Sequence, residues 1–326
     1  MKAMVITTIN EQSKTSIPSL YNSDYNIIIV GDKKTPPDSY ENLDYIPVET
    51  TKYSDISELI GYNKYSRKNL GYIHSINKQA SSILDTDDDN YMTDDIYKWK
   101  DVNLKTINEP SIPNILQEFS SEHIWSRGYP LELVNTTDKI IYSKTTTINT
   151  SDVGVVQSLV NGDPDVDAIF RMTSNSYNDN LKFKQNIGII CDRGVYSQMN
   201  TQSTLWIEPE IFHLLYIPST VSFRFTDILK GYVAQRCMWE YGYHLVITSP
   251  YFTQKRNIHN NMEDFVSEIP MYKNILNILT NILPNIKLYG DVYDIIRVYE
   301  CLETYKIVDQ HELHILKSFL EYINIK

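Results

Sequence analysis

The amino-acid sequence predicts an α/β fold, in which a mixed, mostly parallel sheet is flanked by helices and followed by a helical C-terminal appendage. The run NIIIV at 26–30 is typical of a strand buried on both faces. Strand-like and helix-like segments follow one another as β-β-α-β through the first ninety residues. From Met262 onward, the apolar residues take helical spacing. Together these patterns indicate a doubly wound sheet with helices after it.

The first ninety residues contain the clearest elements. Strands are predicted over 3–6, 26–30 and 82–84, and a helix over 66–80 with Ser66 as its N-cap. The expected buried stripe of this helix is Leu70, Ile73, Ile76 and Ala80. Open parallel sheets bind ligands at the carboxyl ends of their strands. Asp32 and the run DTDDDN at 85–90 follow two of these strands, so both are candidates for a site.

The remainder of the chain has weaker periodicity. Residues 100–135 carry several Pro and Gly residues and are expected to form a long loop, such as a substrate lid. Further strands are predicted over 153–160 and 168–172, and a helix capped by Thr226 over 226–240. We therefore expect a catalytic domain over 1–250 and a helical appendage over 251–326.

Composition narrows the classes of protein and of partner. Thirty Lys and Arg against forty-one Asp and Glu give a net charge of −11, which argues against a broad nucleic-acid-binding surface. Three scattered cysteines form neither a disulfide framework nor a zinc motif. The sequence has no signal peptide and no apolar run of membrane-spanning length. A soluble, cytoplasmic protein is expected.

The aspartate run at 85–89 is the strongest chemical signal. Closely spaced carboxylates repel one another unless a cation or a hydrogen-bond donor offsets their charge. Mg²⁺ and Mn²⁺ prefer carboxylate and phosphate oxygens, so a DxD pair at a strand end suits a metal that bridges to a diphosphate. Two such frames overlap here, Asp85/Asp87 and Asp87/Asp89. The alternative is a solvated acidic turn capped by Asn90.

Two basic residues open the helix that precedes this run. Arg67 and Lys68, followed by Asn69, occupy its first turn, where the helix dipole disfavours cations unless an anion is near. A diphosphate would use these cations and the free N–H groups together. The alternative is a first turn that faces water.

Asp227 is a candidate general base. Helical spacing places Asp227, Gly231 and Ala234 on one face, where the two small residues leave space for a ligand or another backbone. Glycosyl transfer to a hydroxyl needs a base for the acceptor's proton. The alternative is an Asp that stabilises the helix dipole. Arg236 lies roughly opposite Asp227, and a structural ion pair is expected for it.

Several motifs in one order resemble a known family. VGDKKTP (30–36), YNKYSRKNLGY (62–72), DTDDDN (85–90), GDPDVDAIFR (162–171) and VSFRFTDILKGYVAQRCMWE (221–240) resemble the catalytic region of plant STELLO glycosyltransferase-like proteins. The resemblance covers roughly residues 1–250. More distantly, the chain is similar to reversibly glycosylated polypeptides, the UDP-arabinopyranose mutases. The plant proteins have an N-terminal membrane anchor that this sequence lacks, so their Golgi location is not expected here.

The resemblance implies a GT-A fold, a UDP-sugar donor and a Mn²⁺ or Mg²⁺ cofactor. It implies that Asp32 contacts the uracil and that Asn10 borders this nucleobase. It also implies that Asp227 occupies the position of the catalytic general base. Asp87 and Asp89 would bind the metal. The implied donor-binding residues are Asn10, Asp32, Arg67, Lys68, Asn69, Asp87, Asp88 and Arg171, and the acceptor-side candidates are Asp165, Asp167, Arg224 and Trp239.

Other chemical candidates favour structural roles. Asp163, Asp165 and Asp167 mimic the start of a calcium loop, but the following Gly and Glu of that loop are missing. In GT-A enzymes a histidine near the end of the catalytic domain often completes the metal site. His244 and His259 are the nearest candidates here, and a structural role is expected for each. Core packing is expected for Trp206 and Trp239, and a surface position for the His311/His314 pair.

The sequence therefore predicts a metal-dependent glycosyltransferase that moves a sugar from a UDP-hexose, such as UDP-glucose, to a hydroxyl acceptor of unknown kind. A UDP-sugar mutase is the alternative enzyme, since it needs a donor site but no acceptor groove. A non-catalytic scaffold that keeps a nucleotide-sugar pocket is the alternative outside enzymes.

Overall fold

A computed structural model describes residues 1–40, 42–136, 140–143, 148–175, 177, 180–255 and 260–324. Within these residues, ten strands form one sheet in the order β3-β2-β1-β4-β9-β7-β10-β8-β6, with β5 paired to β10. The strands are β1 Lys2–Thr8, β2 Asn26–Gly31, β3 Asp44–Ile46, β4 Ser82–Thr86, β5 Asn90–Met92, β6 Asn103–Ile107, β7 Val153–Gly162, β8 Ile187–Cys191, β9 Ser203–Trp206 and β10 His244–Gln254.

The sheet is mixed and mostly parallel, as predicted. β1 lies between β2 and β4 and is parallel to both, while β3 continues the parallel run beyond β2. β7 and β10 are parallel, as are β6 and β8. β9 runs antiparallel between β4 and β7, and β10 is antiparallel to both β8 and β5.

Strand β1 contributes apolar side chains to the core on both faces of the sheet. Ala3 and Val5 belong to the core on one face of the sheet, whereas Met4 and Ile6 belong to the core on the other. Side chains alternate between faces along a strand, so a strand covered on both sides needs apolar residues at every position. The same reason accounts for the unbroken run in β2.

Eight α-helices cover the sheet in the described residues. They are α1 Ser54–Ile60, α2 Lys68–Asn77, α3 Ile115–Glu118, α4 Ala168–Thr173, α5 Thr226–Met238, α6 Asn261–Asn277, α7 Asp294–Thr304 and α8 Gln310–Tyr322. Residue 250, the predicted end of the catalytic domain, lies inside strand β10. Apolar side chains of α6, α7 and α8 belong to the same core as those of α2 and α5, for example Met271, Val298 and Phe319 beside Leu70.

Several local predictions were wrong. Residues 168–172 form helix α4 rather than a strand, because the Asp167 side chain caps its N-terminus and accepts a hydrogen bond from the Phe170 amide. Ser66 lies inside a short 3₁₀ turn before α2, and Arg67 takes the N-cap position of that helix. Thr226 is the first residue of α5, with Phe225 at the cap position.

The expected long loop over 100–135 is only partly a loop. Strand β6 lies within it and pairs with β8 at the sheet edge, and the short helix α3 follows. The edge strand was missed because its side chains are half exposed and alternate weakly.

No α-helix in the described part of the chain combines the length and the apolar character needed to cross a lipid bilayer.

Candidate functional site

A cavity of about 590 Å³ opens at the carboxyl ends of β1, β2 and β4. From β1 the chain turns to β2 and β3 on one side, and returns through α2 to β4 on the other side. This reversal leaves a crevice above the sheet, which is where open α/β sheets bind ligands. The cavity wall brings together nine of the predicted residues: Asn10, Asp32, Arg67, Asp87, Asp88, Asp89, Asp165, Arg224 and Asp227.

Three consecutive carboxylates point to three different elements. Asp88 accepts hydrogen bonds from Thr8 Oγ1 at 2.5 Å and from Asn10 Nδ2 at 3.0 Å, both at the end of β1. Asp87 accepts a hydrogen bond from Tyr65 Oη at 2.6 Å. Asp89 accepts one from Gln254 Nε2 at 2.9 Å, at the end of β10. The run is thus spread across the crevice rather than into bulk solvent, and it is no solvated turn.

The charge of this run is only partly offset. Burial raises the pKa of Asp87, although Lys68 Nζ at 3.2 Å and Tyr65 act in the opposite direction. Burial, followed by the charges of Asp87 and Asp88, raises the pKa of Asp89 to about 7. The second oxygen of Asp89, Oδ1, is buried and has no hydrogen-bond partner among the described residues. A cation would therefore be most strongly favoured beside Asp89.

Beneath Asp87 lies a fully buried charge cluster. Asp85 Oδ1 is 2.7 Å from Lys68 Nζ, and Asp85 Oδ2 is 2.8 Å from Lys230 Nζ and accepts a hydrogen bond from Tyr72. Two lysines share one aspartate, so one positive charge is left over next to Asp87. Lys68 therefore acts from behind the cavity wall and links α2 to β4, while Lys230 links α5 to the same aspartate of β4.

The residues expected around the nucleotide differ in what they already bind. Asp32 is buried and accepts hydrogen bonds from the Lys33 and Asn63 amides. Arg67 is also buried, with Nε 3.2 Å from the Gly31 carbonyl and 3.9 Å from Asp32. Asn69 lies outside the cavity wall, because both ends of its amide bind the backbone of Ile217.

Elsewhere on the same cavity wall, one arginine joins two carboxylates. Arg127 Nε and Nη2 each lie 2.8 Å from an oxygen of Asp165, and Nη1 and Nη2 lie 2.9 and 2.8 Å from the two oxygens of Asp227. Asp165 also accepts a hydrogen bond from Asn200. Burial alone would raise the pKa of Asp165, but the charge and hydrogen bonds of Arg127, the charge of Arg224 and the hydrogen bond from Asn200 together outweigh burial and lower it. Such bidentate pairs fix the planes of both carboxylates.

The helix that carries Asp227 is placed by close backbone contact. A Cβ atom on Gly231 would lie 2.2 Å from the Met199 carbonyl oxygen, so the space beside Asp227 is filled by another backbone. Arg224 in the preceding turn pairs with Glu268 of α6 at 2.8 Å. Arg236 pairs with Glu240, as expected.

Besides Lys68 and Asn69, three predicted residues lie away from the cavity wall. Arg171 pairs with Asp163 and donates to the Pro164 carbonyl. Asp167 caps α4 and accepts a hydrogen bond from Trp125 at 2.8 Å, and burial raises its pKa to about 6. Trp239 is buried against Tyr196, with ring centroids 4.8 Å apart.

The histidine candidates are also structural or peripheral. His244 lies 3.4 Å from Asp192 at the start of β10. His311 and His314 are exposed on α8. His259 lies outside the described residues. No group of three or more His, Cys, Asp or Glu side chains in the described ranges is arranged to hold a metal by itself.

A larger cavity of about 1150 Å³ lies elsewhere in the molecule. Its wall includes Trp239 but, within the described chain, no other predicted site residue. Its two arginines, Arg193 and Arg236, both pair with Glu240. We therefore place the candidate site in the smaller cavity, where unoffset carboxylates and strand ends meet.

Sequence reasoning missed Arg127, Tyr65, Gln254 and Phe223, all of which line the smaller cavity. Arg127 stands in an aperiodic segment and is 100 positions from Asp227. One local signal was available, the adjacent Gly128. Its φ is +91°, and a Cβ atom there would lie 2.5 Å from Ile228 of α5. Glycine is required here because a side chain would both strain the backbone and clash with helix α5, so Gly128 marks a close approach of the chain to that helix.

Comparison with known proteins supports the resemblance seen in the motifs. The chain is 27% identical over 273 residues to "Probable glycosyltransferase STELLO1" of Arabidopsis thaliana, covering 77% of this chain and 35% of that protein. It is 25% identical over 247 residues to "Probable glycosyltransferase STELLO2" of the same plant, covering 69% and 32%. The relationship is distant homology, and the chain spans about one third of these curated relatives. It matches no family model.

Proposed function

We propose that this chain is a glycosyltransferase that takes a UDP-hexose, such as UDP-glucose, as donor and a hydroxyl group as acceptor. One observation carries the proposal: Asp32, the Asp87–Asp89 run and Asp227 face a single cavity at the carboxyl ends of β1, β2 and β4. Distant homology to two proteins named probable glycosyltransferases supports the same reaction class.

The donor would lie across the ends of β1, β2 and β4. Asp32 and Asn10 border the part of the cavity where the base would bind, and Arg67 lies beside Asp32. The Asp88 carboxylate is already held by Thr8 and Asn10, so it shapes the β1 end of the pocket. Lys68 offsets negative charge at Asp87, which reduces the repulsion that a diphosphate in front of it would meet.

A divalent cation, Mn²⁺ or Mg²⁺, fits the donor set at Asp89. Asp89 Oδ1 is buried with no hydrogen-bond partner in the part of the chain that the structure describes, and the charges of its neighbours Asp87 and Asp88 favour a cation there. Such ions are held by one or two carboxylates together with phosphate oxygens. Asp87 and Asp89 would hold the ion, which when bound would stabilise the departing diphosphate as a Lewis acid.

Asp227 is the proposed base for the acceptor hydroxyl. Each of its oxygens accepts one hydrogen bond from Arg127, which leaves further lone pairs of the carboxylate for the acceptor. Arg127 and Asp165 hold that carboxylate in one plane, so the acceptor hydroxyl would meet a fixed partner. Direct attack assisted by Asp227 would invert the configuration at the anomeric carbon.

Two measurements test the proposal. The first is calorimetry of UDP binding with and without Mn²⁺, and the second is an assay for release of UDP from UDP-glucose. Asp89→Asn is expected to weaken Mn²⁺-dependent UDP binding by about tenfold or more, because the unoffset carboxylate is removed. The matched control is Asp101→Asn, at an exposed acid that is outside the cavity wall. Equal Mn²⁺-dependent binding of UDP by the wild type and Asp89→Asn would contradict the metal assignment. Absence of UDP binding would contradict the whole proposal.

A further inference from the structure

We propose that Phe223 is a stacking platform for a sugar ring and that the acceptor is therefore a saccharide. The role of that saccharide as acceptor rests on the proposed glycosyltransferase function. The platform itself rests on the exposure of one aromatic ring, on the contacts that hold it, and on the charge of the wall beside it.

Phe223 and Phe225 belong to one short turn but have opposite environments. Phe225 is 1% exposed and packs in the core, whereas Phe223 is 58% exposed and lines the cavity. Exposure of a large apolar side chain forgoes the stabilisation that burial would supply. An aromatic ring at the wall of a polar cavity is suited to covering an apolar face of a ligand.

The ring is held in place before any ligand arrives. Tyr65 meets it edge to face, with ring centroids 5.8 Å apart and an angle of 71° between the planes. Tyr65 is itself bound to Asp87 through its hydroxyl. The next residue, Arg224, is tied to α6 through Ser267 and Glu268. A platform held at both sides loses little conformational entropy when a ligand binds.

The neighbouring wall accepts hydrogen bonds and carries one net negative charge. Asp165 and Asp227 contribute two negative charges against the single positive charge of Arg127. The charge of Arg224 is matched by Glu268. Such a wall repels anions and offers carboxylate oxygens to hydroxyl groups.

A saccharide meets both requirements at once. The C–H face of a sugar ring is apolar and would cover Phe223, while the hydroxyls at its edge would reach the carboxylates of Asp165 and Asp227. Phe223 contacts Tyr65, which binds Asp87, and it lines the same cavity as Asp227. A sugar on this platform would therefore sit between the proposed donor and the proposed base.

Saturation-transfer NMR and calorimetry test the inference with four probes, methyl β-glucoside, cellobiose, maltose and lactose, in the presence of UDP and Mn²⁺. At least one probe is expected to bind the wild type. Phe223→Ala and Phe223→Leu should weaken that binding about tenfold, since neither provides a flat face, and Phe223→Trp should retain it. Tyr305→Ala is the matched control, because Tyr305 is an exposed aromatic side chain outside the cavity wall.

Two results would overturn the inference: no probe binds, or Phe223→Ala and Phe223→Leu bind the probe as tightly as the wild type does. UDP affinity, measured separately, distinguishes this failure from failure of the proposed function. UDP binding without saccharide binding that depends on Phe223 would overturn the acceptor assignment alone. Saccharide binding that depends on Phe223 without UDP binding would support the platform and overturn the proposed donor.

Discussion

Arg127 donates a hydrogen bond to each oxygen of Asp227, at 2.9 and 2.8 Å, and also binds both oxygens of Asp165. Arg127 and both carboxylates are buried or nearly so. The single guanidinium thus connects the aperiodic segment before Gly128 to the start of α5 and to the loop after β7. The stability of this side of the cavity should depend on it.

Arg127→Met is expected to lower the free energy of unfolding by about 3–5 kcal/mol, because it leaves two largely buried carboxylates without their cation. Urea denaturation followed by circular dichroism measures the effect. Adding Asp165→Asn and Asp227→Asn to the variant should restore part of the loss, since the uncompensated charges disappear. A single Arg127→Met variant as stable as the wild type would show that the ion pairs contribute nothing net.

Stability should depend on pH through Asp89. Its pKa is raised to about 7, so the folded state binds this proton more tightly than the unfolded chain does. The resulting contribution is fully present below about pH 4 and is lost as the pH rises through about 7.

Asp89→Asn stays neutral, so the difference in stability between Asp89→Asn and the wild type should grow from pH 4.5 to pH 8. This range begins just above the pKa of an aspartate in the unfolded chain, about 4, and ends above the folded-state pKa of about 7. Thermal unfolding in a chelator measures it. Added Mn²⁺ should reduce the loss in the wild type at high pH more than in the variant. A pH-independent difference between the two proteins would refute the raised pKa.

Gly231→Ala should destabilise the protein although alanine is the better helix former. Helix propensity favours alanine by about 1 kcal/mol, but the new Cβ atom would lie 2.2 Å from the Met199 carbonyl oxygen. Overpacking of this kind costs typically about 1–3 kcal/mol, and the contact is to backbone rather than to a flexible side chain. Chemical denaturation gives the sign. Unchanged or increased stability would mean that α5 does not pack against Met199 as described.

A buried glutamate of α8 organises the loop before α5. Glu312 is fully buried and accepts hydrogen bonds from the Ser219 amide at 3.0 Å, from the Thr220 amide at 2.8 Å, and from the hydroxyls of Thr220 and Tyr216. The last helix thereby fixes residues 216–220, which lead to Phe223 and Asp227.

Glu312→Ala is expected to lower the free energy of unfolding by roughly 3 kcal/mol, because it leaves buried donors without an acceptor. Hydrogen exchange of the Ser219 and Thr220 amides should become faster than in the wild type. His314→Ala, at an exposed position of the same helix, is the control and should change stability by less than about 0.5 kcal/mol. Slow exchange of both amides in Glu312→Ala would contradict this role for α8.

Short apolar runs were the main source of error in the predicted elements. Residues 168–172 are as compatible with a strand as with a helix on composition, and the cap made by Asp167 decides in favour of α4. Asp167, which follows the turn that contains Pro164, was a readable signal for a helix start. Strand β6 was hidden for a different reason, since an edge strand with half-exposed side chains has little hydrophobic alternation.

The sequence by itself determined the order of the first strands and of α2, and it placed Asp32 and the aspartate run at strand ends. These features depend on local spacing, because burial on both faces of a parallel strand requires an unbroken apolar run that is visible in the chain. Helix α5 and the C-terminal helices follow from spacing in the same way.

Only the tertiary structure decided which groups meet in the cavity. Arg127 reaches Asp227 across 100 positions, and Gln254 reaches Asp89 across 165. Lys68, predicted to face a ligand, is instead buried between Asp85 and Asp87. Contacts of this kind arise when distant elements pack together, and no periodicity in the sequence records which side chain will face which.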